Sequence, residues 1–332
     1  MATETGGGVE VSLATVLTES QRIISAHSRH FLALTLIFQL LPCFALSFLP
    51  SLLLSSSPLQ PPNSQAFLSF NRFNIGNDRA TLGAALHVAL FAVFLFSLSQ
   101  LATASITRSV LHGFYGRPVR LFPASAAAVS AFPRLLFTTV LSLSLPLGFL
   151  LVSLSCLFLV LHLIGLLLGG AASSAYVMLP VTALALAVVI LAVRLYLGLL
   201  LSPVVTVAES TWGFHPLKRS HFLVSSVQFS AALSVFLFFK LSSGVLLASA
   251  AGAAVFLSGE WVRVVVIVVA CASLMAVFLY EAAAVTVLYM YCKAARGELA
   301  GEIAEEFARD YVSLPFDGHK VPHVVSIVYN VA

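Results

Sequence analysis

Long apolar runs without charge are the feature that most limits the fold of this chain. Phe31 to Leu54 and Leu82 to Ile106 contain no Asp, Glu, Lys or Arg, and 180–201, 222–247 and 262–291 contain one or two each. A helix needs about 20 apolar residues to cross a hydrocarbon layer roughly 30 Å thick. Each run therefore predicts a transmembrane helix. With 60% hydrophobic and 9% charged residues, the chain also has too few charges to cover a soluble protein of 332 residues.

A sixth uncharged run, 135–168, is too long for one ordinary crossing and too short for two crossings with a turn. The distribution of basic residues distinguishes one crossing from two, because Lys and Arg in short loops stay in the cytoplasm. One crossing places 2 + 4 + 2 + 4 = 12 Lys and Arg residues on one side and three on the other, whereas two crossings give 7 against 8. The sequence thus predicts an all-α polytopic membrane helical bundle of six transmembrane helices, with both termini cytoplasmic. Pro146 predicts that the third helix is kinked, tilted or protruding.

The segments that flank the spans differ in character. Residues 1–10 include three consecutive glycines and are predicted to be a disordered leader. Residues 11–30 predict an interfacial helix, with a frayed polar leader as the alternative. A cleavable signal peptide is disfavoured because the first apolar run, 24 residues, exceeds the usual length. The predicted apolar face of the helix consists of Leu13, Val16, Leu17, Ser20, Ile23, Ile24 and His27.

The polar tail, 292–332, predicts an amphipathic cytoplasmic helix with Leu299, Ile303, Phe307 and Tyr311 on one face. From Lys293 onward the tail has four basic and six acidic residues, a net charge of −2. This charge argues against binding to anionic lipid. Docking on the loops of the bundle is favoured over recruitment of a partner.

Three charged residues fall well inside predicted spans, where an unpaired charge is expensive, and a fourth, Arg263, lies at the beginning of the sixth span. Arg194 and Glu281 lie at compatible depths before the ends of spans four and six, so we predict a salt bridge between them. It would be an interhelical clamp or, alternatively, part of a proton or ion route. Lys240 is 18 residues after Phe222 and is predicted to reach the far headgroups by itself.

A cysteine and a pair of glycines are the remaining candidate sites. Cys292 at the inner end of the last span is a candidate for S-palmitoylation, with an unmodified thiol as the alternative. Gly165 and Gly169 match a small-residue pattern for close helix packing. We find no spacing typical of a catalytic nucleophile, a phosphate-binding loop, a cofactor site or a metal site. Basic residues form no cluster that would indicate nucleic-acid binding.

One stretch, RLYLGLLLSPVVTVAESTWGFHPLKRSHFLVSS from Arg194 to Ser226, resembles a motif at the end of a span in multi-pass proteins loosely related to bacterial glycerophosphodiesterase membrane domains. Segments 116–119 and 288–316 are similar to plant transmembrane proteins of unassigned function. The resemblance implies a six-helix membrane bundle with Glu209 to Arg219 at the cytoplasmic surface. It transfers no catalytic residue. The matching elements are Pro203, Val204, Val205, Glu209 and Leu217 to Ser220.

Within this motif, Glu209 beside Lys218 and Arg219 predicts local hydrogen bonds that fix the loop, with a lipid-headgroup contact as the alternative. The function expected is that of a non-enzymatic scaffold, assembly or trafficking factor in a plant endomembrane or plasma membrane. Its partners would be the lipid bilayer and either another membrane protein or a second copy of the chain. The alternatives are a small-solute or ion transporter and, less favoured, a lipid-modifying enzyme that uses Glu209, His215 and His221.

Overall fold

The computed structural model of the protein describes residues 12–55, 78–116, 121–168, 175–225, 229–256, 259–301 and 303–304. The described part is all helical and forms a multi-pass membrane bundle. Its helices are α1 (Leu13–Ala26), α2 (Ser28–Phe38), α3 (Leu40–Ser55), α4 (Asp78–Phe114), α5 (Leu121–Leu168), α6 (Ala175–Gly198), α7 (Ser202–Ala208), α8 (Phe214–Ser225), α9 (Phe229–Phe256) and α10 (Glu260–Ala295).

Five helical stretches are long and apolar enough to cross a bilayer: 86–114, 122–163, 179–208, 229–253 and 261–295. A sixth crossing results if α2 and α3, which meet at an angle of 56°, count as one broken span. The bend has a chemical cause, because Pro42 has no N–H and its ring clashes with the carbonyl of residue 38. The first predicted span is therefore bent near its middle, where a continuous helix was expected.

The third crossing is one helix, as the distribution of basic residues predicted. Helix α5 has 48 residues and continues through Pro133 and Pro146. It begins 14 residues before the predicted span. The alternative of a hairpin is excluded, because no turn interrupts this helix between residues 121 and 168.

The fifth span begins later in the structure than the sequence predicted. Residues 214–225 form the separate helix α8, and the crossing helix α9 starts at Phe229 instead of Phe222. The periodicity of apolar residues does not separate the two helices, because both are rich in Leu, Val and Phe. This shift of seven residues places Lys240, the charged residue of α9, closer to the start of its helix than predicted.

The main core lies at one end of the bundle. Helix α1 buries Val16, Ile23 and Ile24 against α4 and the last turns of α10, so the predicted apolar face of this helix is confirmed. Every residue from Ala283 to Met290 of α10 is buried. We call this region the end cap: residues 13–26, 202–225, 296–301 and 303–304, with the ends of α4, α9 and α10 on which they pack.

Residues 1–11 and 305–332 lie outside the described residues, and so do the predicted disordered leader and most of the predicted tail helix. The part of the tail that is described turns back on the bundle. Leu299 packs against the core of the end cap, as the prediction of docking on the bundle requires.

Candidate functional site

A break between α6 and α7 is held by one buried hydroxyl. Residues 199–201 leave the helix, which frees backbone groups that must find other partners. The Ser220 hydroxyl donates to the Gly198 carbonyl oxygen at 2.8 Å and accepts from the Leu201 N–H at 3.1 Å. Ser220 is completely buried. It therefore fixes α8 against the end of α6, although its place in the sequence motif gave no sign of this partner.

Arg219 connects three segments that are distant in the sequence. Its Nε donates to Glu209 Oε1 at 3.3 Å, and its terminal nitrogens donate to both carboxylate oxygens of Glu298. The Arg219 side chain is 24% exposed, and those of Glu209 and Glu298 are 21% and 30% exposed. The predicted contact of Glu209 with Arg219 is formed, and Glu298 extends it to the tail.

The hydrogen bonds from Arg219 to Glu298, opposed by partial burial and reinforced by Glu209, raise the pKa of Arg219. The guanidinium therefore stays charged at every physiological pH. Glu209 Oε1 also accepts from the Tyr289 hydroxyl at 3.0 Å. The two contacts tie the 209–213 turn to both α8 and α10.

Three further cations at this end of the bundle, Arg296 and Lys293 of the end cap and Arg134 of the adjacent helix α5, contact aromatic rings or backbone. The Arg296 guanidinium lies 3.6 Å from the centre of the Phe222 ring and donates to the Phe222 carbonyl oxygen. Lys293 is buried, with Nζ 5.5 Å from the centre of the Tyr289 ring. Arg134 donates to the Ser210 carbonyl oxygen at 2.8 Å. These contacts join the connecting segments to the helix ends, whereas Lys218 is exposed.

The predicted pair of Arg194 with Glu281 is not formed. Glu281 Oε1 instead lies 2.6 Å from Lys240 Nζ, and the Arg194 guanidinium lies 5.2 Å from the centre of the Phe229 ring. The main neighbours of α6 are α5, α8 and α9, while α9 packs along α10. Matching depths could not reveal which helices are adjacent, so the prediction chose the wrong cation.

Lys240 also lies elsewhere than predicted. Because α9 begins at Phe229, Lys240 is 11 residues, or about 16 Å, from its start and 16 residues, or about 24 Å, from its end at Phe256. It is therefore nearer the end cap than the opposite headgroups. Its side chain is 42% exposed, so the pair is partly open to its surroundings.

A charge exchange tests this pair. We expect Lys240→Glu and Glu281→Lys each to reduce the amount of folded protein in the membrane, because each leaves two carboxylates or two ammonium groups side by side. The double variant should recover most of the loss. The measurement is the monodisperse fraction after detergent extraction. The corresponding exchange of Arg194 and Glu281 is the control, and recovery in that pair alone would contradict the assignment.

The structure bears on one of the two remaining predicted sites and leaves the other open. The Cys292 side chain is 1% exposed and packs in the core of the end cap, so its sulfur does not face an acylating enzyme or the lipid surface as palmitoylation requires. Gly165 lies near the end of α5, and Gly169 lies outside the described residues. The close-packing motif that they form stays a prediction.

His215 and His221, proposed with Glu209 for a lipid-modifying enzyme, are both exposed on α8, while Glu209 faces Arg219 and Tyr289. Across the residues with described positions, no group of three His, Cys, Asp or Glu side chains could hold a metal ion. The arrangement at the end cap stabilises connecting segments. Sequence reasoning missed the roles of Ser220 and Tyr289, because their partners come from other helices.

The comparisons with known proteins identify a family without an assigned activity. No curated protein and no solved structure matches the chain significantly. The family model described as a domain of unknown function (DUF8558) matches residues 9–314, which include every described helix. The chain therefore belongs to the DUF8558 family.

Proposed function

We propose that this protein is a non-enzymatic membrane scaffold, assembly or trafficking factor. In this proposal both termini are cytoplasmic, the end cap is the cytoplasmic face, and the protein resides in the endoplasmic reticulum, the Golgi or the plasma membrane. The observation that carries it is the bridge from Arg219 to Glu209 and Glu298, which holds a turn, α8 and the tail as one surface. The excess of basic residues on this side supports the orientation.

The chemistry of the end cap suits a fixed surface better than a catalytic centre. A general acid or base must exchange a proton with a substrate that it can reach. Here Glu209 and Glu298 accept hydrogen bonds from Arg219, which is charged throughout the physiological range. Exposed Trp212 and Phe214 flank this network and are available to headgroups or to a protein partner.

The bridge can be tested with Arg219→Gln, which removes the charge but keeps a polar side chain. We expect a loss of about 1–3 kcal/mol in the free energy of unfolding, because two partly buried carboxylates lose their cation. The protein should still insert, but proximity labelling from its C-terminus in living cells should lose most of the neighbours labelled by the wild type. Location in the same membrane is checked by microscopy.

Lys218→Gln is the matched control, because Lys218 is adjacent and exposed. It should leave both stability and the labelled set unchanged. The scaffold proposal fails if the wild type labels only the proteins that an unrelated protein in the same membrane labels. It also fails if Arg219→Gln lowers stability without altering the labelled set.

The second candidate is a small-solute or ion transporter, and the broken first span favours it. Discontinuous helices form the substrate and ion sites of many transporters. The break between α2 and α3 lies within the lipid-exposed length of the span. Purified protein in sealed vesicles would then carry a labelled solute or ion across the bilayer. If the vesicles took up no labelled solute or ion, and the set of labelled neighbours depended on Arg219, the scaffold would be favoured.

A further inference from the structure

The break in the first span leaves a backbone oxygen without its usual donor. In a continuous helix the carbonyl of Phe38 would accept from residue 42, but Pro42 has no N–H. The helix resumes one residue later, where the Cys43 N–H donates to the Gln39 carbonyl oxygen at 3.0 Å. At the C-terminus of α2, where the helix dipole places partial negative charge, Gln39 and Pro42 are buried while Leu40 and Leu41 are exposed.

A second oxygen at the break lacks a partner. The Gln39 side chain is 6% exposed, and its Oε1 is buried without a hydrogen-bond partner among the described residues. Thr35, one turn earlier, is also buried, and its hydroxyl donates to the Leu32 carbonyl oxygen. Its oxygen can still accept or coordinate.

A second buried glutamine differs from Gln39 in this respect, although the Ser47 and Ser202 hydroxyls are also buried without a partner among the described residues. Gln100 of α4 is 8% exposed, and its Oε1 accepts from the Thr139 hydroxyl at 3.0 Å. The fold therefore can supply a donor to a glutamine inside a span. It does not supply one to Gln39.

Gln39 lies too deep in the span for bulk water to supply the missing hydrogen-bond donor, and the hydrocarbon of lipid has none. Exposed apolar side chains of the first span extend from Leu32 to Leu49. Gln39 is seven residues, or about 10 Å along the helix, from Leu32 and ten residues, or about 15 Å, from Leu49. A buried polar atom at this depth is expensive unless a ligand binds it.

We propose that the break in the first span binds a monovalent cation such as Na⁺. The Phe38 carbonyl, Gln39 Oε1 and the Thr35 hydroxyl would supply oxygen ligands, with water completing the shell. All three are neutral, which suits a singly charged ion better than Ca²⁺, since protein calcium sites recruit carboxylates. The site goes beyond the scaffold proposal and stands whether the protein is a scaffold or a transporter.

Thermal unfolding of the purified full chain tests the site. Melting is measured in detergent with chloride salts of Na⁺, K⁺ or choline at equal ionic strength, because the alkyl groups of choline prevent oxygen atoms from coordinating its nitrogen. We expect Na⁺ or K⁺ to raise the melting temperature by roughly 3 °C over choline, because a ligand that binds only the folded state stabilises it. Gln39→Leu should abolish the rise, while Gln100→Leu should keep it.

Gln39→Glu provides a second variant of the same site. A carboxylate at this position should lower the half-saturating cation concentration roughly tenfold, which separates loss of binding from loss of folding. Equal melting temperatures in the three salts would mean that the break holds water alone and would overturn the proposal. A response that persists in Gln39→Leu would overturn it as well. Neither outcome depends on the labelling experiment at Arg219.

Discussion

Replacing Tyr289 with alanine should lower the free energy of unfolding by about 3–5 kcal/mol, the range measured when large buried aromatic residues are truncated. Tyr289 is 1% exposed and belongs to the largest fully buried side chains of the protein. Its ring packs in the core of the end cap, and its hydroxyl donates to Glu209. The change can be measured by titrating the protein with SDS in mixed micelles.

Tyr289→Phe separates packing from hydrogen bonding. It keeps the ring and removes only the donor to Glu209, which retains Arg219 as a second donor. We expect a loss of about 0.5–1.5 kcal/mol. If the phenylalanine variant lost as much stability as the alanine variant, packing of the ring could not be the main contribution.

Ser220→Ala should have the second largest effect, a loss of about 2–4 kcal/mol. The substitution removes one small hydroxyl but leaves two buried backbone groups, the Leu201 N–H and the Gly198 carbonyl, without that partner. Each unsatisfied neutral group is expected to cost about 1–2 kcal/mol here, in the lower part of the usual range. The same titration measures the loss, and protease cleavage between α6 and α8 should become faster because the break loosens.

Ser234→Ala is the matched control on α9. Its hydroxyl bonds only to the Ser230 carbonyl oxygen of its own helix, at 2.8 Å. The expected change is within about 0.5 kcal/mol, as for other substitutions away from a buried network. Equal losses at positions 220 and 234 would show that Ser220 does not hold the break.

Much of the helical framework was predictable, because transfer to lipid depends on composition over about 20 residues. The single long third crossing followed from counting basic residues, and the buried face of α1 followed from its periodicity. The break at Gln39 was not predicted. The signal was present, since a glutamine lies three residues before Pro42 in a run that contains no charged residue.

The candidate site was predictable only where its partners are close in the sequence. Glu209 and Arg219 are ten residues apart within one motif, and their contact is formed. Glu298 is 79 residues from Arg219, and nothing local connects the two. Glu281 shows most clearly that local patterns do not identify partners on other helices. Its partner depends on which helix is adjacent to α10, and the local pattern of a single sequence does not contain that information.

The length of α5 has a consequence for the bilayer itself. Beyond the exposed Phe122 and Val129, a dense series of exposed apolar side chains extends along α5 from Phe137 to Leu166, a separation of 29 residues or about 44 Å. A hydrocarbon layer of about 30 Å covers that length only at a tilt near 47°, steeper than transmembrane helices usually adopt. Each ångström of added thickness relieves part of this mismatch. A thicker, sterol-rich bilayer therefore fits α5 better than a thin one.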